Sequence, residues 1–245
     1  MPRFFVPSDN FTENEIRITG EDAFHIARAL RMAVGDSVTV CDMHGMEYGC
    51  TLTKIRDEEC VCEINTRAMG KTESPVFISL YMAYPKGDKL EVVTQKAVEL
   101  GASEIIPFES SRCIRKAKPE KVEREGARLS KIAEEAAKQC GRSRLVSVLS
   151  PLSYREAIAR AKEADLLLFC YEGDGAQSLK QILSSSDGDV KTIAVVVGSE
   201  GGFSLSEVEA AREVGARIVN LGPRILRCET APSYVLSALS YHFEL

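Results

Sequence analysis

The chain has 245 residues, 44% of them hydrophobic and 27% charged, with a formal net charge of −5. That is the composition of a globular protein able to bury a core, as one large domain or two small ones. No apolar run approaches a membrane span and MPRFFVPSDN is not a basic-then-apolar signal, so a cytoplasmic protein without membrane association is expected.

Arg3 to Val6 reads as a short strand, and DAFHIARALRM (Asp22 to Met32) has the apolar spacing of a short amphipathic helix. Alternating strands follow at Ser37 to Cys41, Glu47 to Ile55 and Cys60 to Ile64, with turns at His44-Gly45 and Asp57 to Glu59. Short strands with tight turns predict a small β-barrel over residues 1–72, with Lys71 to Pro75 as linker. The eight cysteines lack the spacing of a disulfide scaffold, and no CxxC knuckle is present. Cys41, Cys50, Cys60 and Cys62, with His44 among them, therefore read as small core residues and not as metal ligands.

From Val76 the period changes. Strands at Val76 to Tyr84, Glu104 to Phe108 and Asp165 to Tyr171 alternate with helices at Asp88 to Leu100 and Glu120 to Cys140, which predicts an α/β domain with a mainly parallel sheet over 73–245. Ser184 to Asp189 reads as a surface loop. Residues Arg112 to Arg144 contain eleven basic and five acidic side chains, leaving −11 for the rest of the chain. Such a patch suits phosphate binding, with Arg112, Arg115, Lys118, Lys121 and Arg142 as candidates, although Glu–Arg pairs on a solvated helix face would give the same composition.

The C-terminal segment is the most informative. A buried-strand run, Ile193 to Val197, empties into Gly198-Ser199-Glu200-Gly201-Gly202, and a second, Arg217 to Leu221, breaks into Gly222-Pro223. Between them Ser204 and Glu207 form a capping-box pattern, and Gly215 closes the helix. The GxxGG spacing fits neither the Walker loop nor the dinucleotide fingerprint. Two glycine loops at the same ends of two neighbouring strands, with Arg227-Cys228-Glu229-Thr230 beside them, nevertheless predict a small-molecule pocket with charges at its lip. Taken singly, each loop is also explained as turn punctuation.

Six segments carry a resemblance: RFFV, HIARALRMAVGD, KGDKLEVVTQKAVELGASEIIPF, KIAEEAAKQCGRS, VVVGSEGGFSLSEVE and LGPRILRCETAP. Over nearly its whole length the chain resembles the SPOUT-class 16S ribosomal RNA uridine-N3 methyltransferases, the RsmE family. It departs from the usual family pattern at Ser199, where proline is usual, and at Cys228, where threonine is usual. The resemblance implies a trefoil-knotted methyltransferase domain behind a PUA-like N-terminal barrel, a homodimer, and S-adenosyl-L-methionine as cofactor. It implies 16S ribosomal RNA as substrate, within the small ribosomal subunit. It assigns the cofactor loops to Tyr171 and Glu172, to Gly198, Glu200, Gly201 and Gly202, and to Leu221, Gly222, Ile225, Leu226 and Arg227. It makes Arg227, Glu229 and Arg3 the catalytic candidates and adds Arg3, Arg28 and Arg31 to the RNA contacts. Two rivals stand beside this reading. One is a related enzyme acting on tRNA or a ribose 2′-hydroxyl, told apart by the methylated product. The other is a non-catalytic RNA-binding protein, told apart by cofactor binding.

Overall fold

The computed structural model describes residues 1–117, 119–185 and 190–245. Two compact units form, Met1–Glu73 with Ala137–Leu145, and Ser74–Ala136 with Val146–Leu245. The return of residues 137–145 to the first unit is a feature that a single cut in the chain does not provide.

The first unit is a five-stranded sheet of β1 (Arg3–Phe5), β2 (Glu15–Thr19), β3 (Ser37–Cys41), β4 (Met46–Ile55) and β5 (Glu59–Met69), in the order β1-β3-β4-β5-β2. Only β1 and β3 run parallel. β2 alternates exposed and buried residues, as a sheet with one wet face requires. Its Ile16 and Ile18 join Val38, Val40, Leu52, Cys60 and Cys62 in the core. The sequence reading missed β2, whose Glu15, Arg17 and Thr19 dilute the apolar signal. The helix expected over Asp22 to Met32 is in fact a short helix, α1 (Gly20–Phe24), followed by a single π-helical stretch, His25–Ala29.

In the second unit a sheet contains β6 (Phe77–Ala83), β7 (Glu104–Glu109), β8 (Ser147–Val148), β9 (Leu152–Ser153), β10 (Leu166–Cys170), β11 (Gln177–Ser178), β12 (Thr192–Val197) and β13 (Arg217–Asn220). The order is β11-β13-β10-β12-β6-β7-β8, with β9 also on β7, and every pairing is parallel. The helices are α2 (Lys89–Glu99), α3 (Pro119–Cys140), α4 (Tyr154–Ala161), α5 (Leu179–Ser185), α6 (Leu205–Glu213) and α7 (Thr230–Phe243). From Ile193 to Val197 every residue of β12 is buried, as a strand covered on both faces must be. α4 and α6 both open with complete capping boxes, Ser153 with Glu156 and Ser204 with Glu207. The first of these boxes was overlooked in the sequence. Ser184 and Ser185 belong to the end of α5, and the rest of that expected loop lies outside the described residues.

Candidate functional site

Parallel strands deliver their following loops to one end of the sheet. Here the loops after β6, β7, β10, β12 and β13 surround a cavity of about 520 Å3, a size typical of small-molecule sites. The two glycine loops do not follow neighbouring strands, as the sequence suggested. β10 lies between β12 and β13, so a third loop, beginning at Tyr171 and Glu172, is placed between them.

Tyr171, Glu172, Gly198, Glu200, Gly202, Leu221, Ile225, Leu226 and Arg227 line the cavity. Gly201 and Gly222 do not line it in this structure, and each is constrained for another reason. A Cβ at Gly201 would stand 2.8 Å from the Arg112 carbonyl oxygen and 2.9 Å from its Cβ. Gly222 has nothing within 4 Å of such a Cβ but holds φ at +107°, which side chains rarely adopt. The glycine loop therefore rests on the segment after β7. That segment is itself tied to α6, because the Ser111 amide and hydroxyl both donate to the Glu207 carboxylate. Beneath the loop the Phe203 ring lies 4.3 Å from that of Phe169 and stacks parallel to Phe108 at 6.3 Å.

The wall is apolar at Leu221, Ile225 and Leu226 and charged at Lys89, Arg112, Glu172, Glu200 and Arg227. An apolar wall suits an adenine ring, and flanking charges of both signs suit an amino-acid zwitterion, so the residues fit S-adenosylmethionine. Among the described residues nothing engages the Arg227 guanidinium by hydrogen bond or ion pair, and the side chain is exposed. Glu229 occupies the N-cap position of α7, and its carboxylate pairs with Lys89 Nζ at 3.2 Å, leaving Arg227 unpaired. The carboxyl of Glu229 is held below the usual range, first by its own backbone amide, then by Cys228 and Lys89 against the effect of burial. Burial also acts against the ionised form of Glu200, but hydrogen bonds from Lys89 and from the backbone at Glu200 and Lys86 hold its pKa down at about 2. Burial, with the neighbouring Glu229, pushes the Cys228 thiol up to about 12.

Lys89 is a cavity residue that sequence reasoning missed. KGDK marks a turn and a helix start, and nothing in it announces a partner more than a hundred residues away. Ser199 is another. Its hydroxyl is buried and has no hydrogen-bond partner among the described residues, at the position where a proline is usual.

The remaining candidates are spread over both units. Arg3 lies in the first, with its guanidinium 2.8 Å from Glu47 and 3.2 Å from the Arg142 carbonyl oxygen. Arg28 makes a two-pronged contact with Asp57, Nε donating to Oδ1 at 2.9 Å and Nη2 to Oδ2 at 2.5 Å, and Arg31 is exposed with φ at +51°. Arg142, expected on an RNA-facing surface, is 5% exposed and bonded to Glu73. In the second unit Arg112 is exposed at the cavity and donates to the Gly201 carbonyl at 3.2 Å. Arg115 packs over the Tyr84 ring and pairs with Glu125 at 2.6 Å. Lys121 is exposed on α3, and Lys118 lies outside the described residues. Among the described residues no group of three or more His, Cys, Asp or Glu could hold a metal, and no helix is long and apolar enough to cross a membrane.

Comparison with known proteins gives these features a context. A family model described as an RNA methyltransferase domain matches residues 72–240, and one described as an RNA methyltransferase PUA domain matches residues 18–65. The chain is 35% identical to Ribosomal RNA small subunit methyltransferase E of Bacillus subtilis, across 100% of this chain and 98% of that protein. It is similar to the crystal structure of Ribosomal RNA small subunit methyltransferase E from Neisseria gonorrhoeae bound to S-adenosyl methionine. That likeness has 30% identity and a TM-score of 0.87, covering 98% of this chain and 97% of the other. A Legionella pneumophila protein in complex with the cofactor SAM is 27% identical with a TM-score of 0.86, covering 98% and 96% of the two chains.

Proposed function

This chain belongs to the SPOUT-class ribosomal RNA small subunit methyltransferase E family, and from that membership we propose that it methylates N3 of one uridine in 16S ribosomal RNA. The protein is an S-adenosylmethionine-dependent methyltransferase of small-subunit ribosomal RNA. The choice of atom and the roles of individual residues are our reading. The observation that carries it is Arg227, a guanidinium with no described partner at the wall of the cavity.

When bound, S-adenosylmethionine supplies an electrophilic methyl group on its sulfonium. The N3 position of uridine is a poor nucleophile until its proton leaves, and a fixed cation beside the ring favours the anion that results. Arg227 can provide that cation without first breaking an ion pair. Glu229 is a weaker candidate for taking the proton, because its carboxyl is held below the usual range, which makes it a weaker base, and it is paired with Lys89. Tyr171, Glu172, Gly198, Glu200, Gly202, Leu221, Ile225 and Leu226 would hold the cofactor. Gly201 and Gly222 would act on it through the shape of their loops.

RNA would be drawn by Arg112, Arg115, Lys121 and the neighbouring basic residues. The first unit would contribute Arg3, Arg28 and Arg31, in the manner of a PUA domain. We read the active form as a homodimer, in which Arg3 of one subunit serves the cofactor of the other. Mapping modified nucleosides on ribosomal RNA from cells with and without this protein tests the proposal. Loss of a single 3-methyluridine is expected. A missing 2′-O-methyl group, or a change in tRNA alone, would redirect it.

A further inference from the structure

Lys89 is the first residue of α2, with Asp88 at the N-cap. A helix N-terminus carries partial positive charge, so a cation is electrostatically misplaced there. Departures from such local rules tend to gather at functional sites. Lys89 Nζ lies 2.9 Å from Glu200 Oε1 and 3.2 Å from Glu229 Oε2, with Cys228 Sγ at 3.8 Å. The Lys86 amide donates to the same Glu200 carboxylate at 3.1 and 3.3 Å. One nitrogen thus joins three segments that follow three different strands, β6, β12 and β13.

We infer that Lys89 is a positioning residue: by clamping Glu200 of the glycine loop to Glu229 at the head of α7, it fixes the short segment that carries Arg227. The inference rests on reading the cavity as the cofactor and transfer site. Glu200 and Glu229 reach toward the same nitrogen, so removing that charge leaves two carboxylates in mutual repulsion. The glycine loop and the start of α7 would then move apart, and the backbone that carries Arg227, two residues before Glu229, would lose its fixed position. A misplacement of about 1 Å at a reacting centre can cost on the order of a hundredfold in rate. Lys89 itself need touch neither the uracil nor the methyl group.

The experiment compares Lys89→Met, Lys89→Arg and the double variant Lys89→Met/Glu200→Gln in the full-length chain. It reads S-adenosylmethionine affinity by calorimetry, the single-turnover transfer rate at saturating cofactor, and the melting temperature. Lys89→Met is expected to melt near wild type and to lose about tenfold or more in transfer rate, with a smaller change in cofactor affinity. Lys89→Arg should recover part of the rate. The double variant should also recover part of the rate at saturating cofactor, since one carboxylate no longer needs the cation, although losing Glu200 from the cavity wall lowers cofactor affinity. A purely structural lysine would instead lower the melting temperature and the rate together. Wild-type transfer by Lys89→Met, or a double variant no better than the single, would overturn the proposal. Should Lys89→Met not fold, Lys89→Arg decides, and a rate as low as that of an Arg227→Ala chain would overturn it equally. Failure of the wild-type chain to bind S-adenosylmethionine would instead remove the reading of the cavity, and this inference with it.

Discussion

Arg142 Nη2 lies 2.6 Å from Glu73 Oε2, and the pair is set below the surface of the first unit, with Arg142 only 5% exposed. The amides of Ser143 and Arg144 donate to the same carboxylate. A residue that looked like an RNA contact in a run of basic side chains is thus engaged in holding residues 137–145 to the first unit.

Burial opposes ionisation of Glu73, yet the Arg142 guanidinium and the two amides outweigh it and hold the carboxyl below the usual range. A depressed carboxyl contributes stability above its unfolded value, about 4.3, and that contribution is lost as pH falls through the folded value. Glu73→Gln is therefore predicted to cost roughly 3 kcal/mol at neutral pH, because it strands a buried guanidinium. The difference from wild type should shrink below about pH 4. Urea denaturation at pH 7 and pH 3 measures both; an equal difference at the two values would refute the assignment.

Arg227→Ala is predicted to keep much of its cofactor affinity and lose roughly a hundredfold or more in single-turnover transfer, the scale set by removing one preorganised electrostatic contact. Arg227→Lys should recover only part, because an ammonium cannot reproduce the planar fork of a guanidinium. Full activity in the alanine variant would place the catalytic charge elsewhere.

Gly201 and Gly222 should fail in different ways. A side chain at Gly201 must displace the Arg112 backbone, so Gly201→Val is expected to weaken cofactor binding by deforming the loop. Gly222→Val meets open space but an unfavourable φ, a strain of about 1–3 kcal/mol. It should lower stability together with affinity. Calorimetry and thermal melting on the two variants separate the cases, and unchanged cofactor affinity in both would sink the loop assignment.

RNA affinity is predicted to fall steeply with salt, since each neutralised phosphate releases counterions. Lys121→Glu should weaken RNA binding and lower the salt slope by about 1, without altering cofactor affinity. A flat salt dependence would reassign the exposed face of α3 to solvent or to another contact.

The two departures from the family pattern should both be tolerated. Cys228, with its thiol pushed up to about 12, stays protonated at neutral pH and takes no part as a thiolate. Cys228→Thr should therefore transfer methyl groups normally. Ser199→Ala removes a buried hydroxyl that has no partner among the described residues, and the melting temperature is expected to hold or rise. A fall of several degrees would mean that the hydroxyl is satisfied in solution.

Much of the second unit could be read directly from the chain. Continuous apolar runs such as Ile193 to Val197 mark strands buried on both faces, and Ser204 with Glu207 marks a helix start, because both signals are local. Arg227 and the two glycine loops could be found in the same way, as short stretches whose residue types already imply charge or backbone freedom. Three things depended on long-range packing. β10 stands between β12 and β13, which local patterns do not reveal; the family resemblance assigns the Tyr171 loop to the cofactor, and this strand order is what sets it between the two glycine loops. Arg142 reads as a surface cation until Glu73, sixty-nine residues earlier, is folded against it. Lys89 is an unremarked lysine at a helix start until parallel strands bring Glu200 and Glu229 to its nitrogen. Local patterns specify elements and caps, but which charges meet is decided by the order in which strands pair, and that order is a property of the whole sheet.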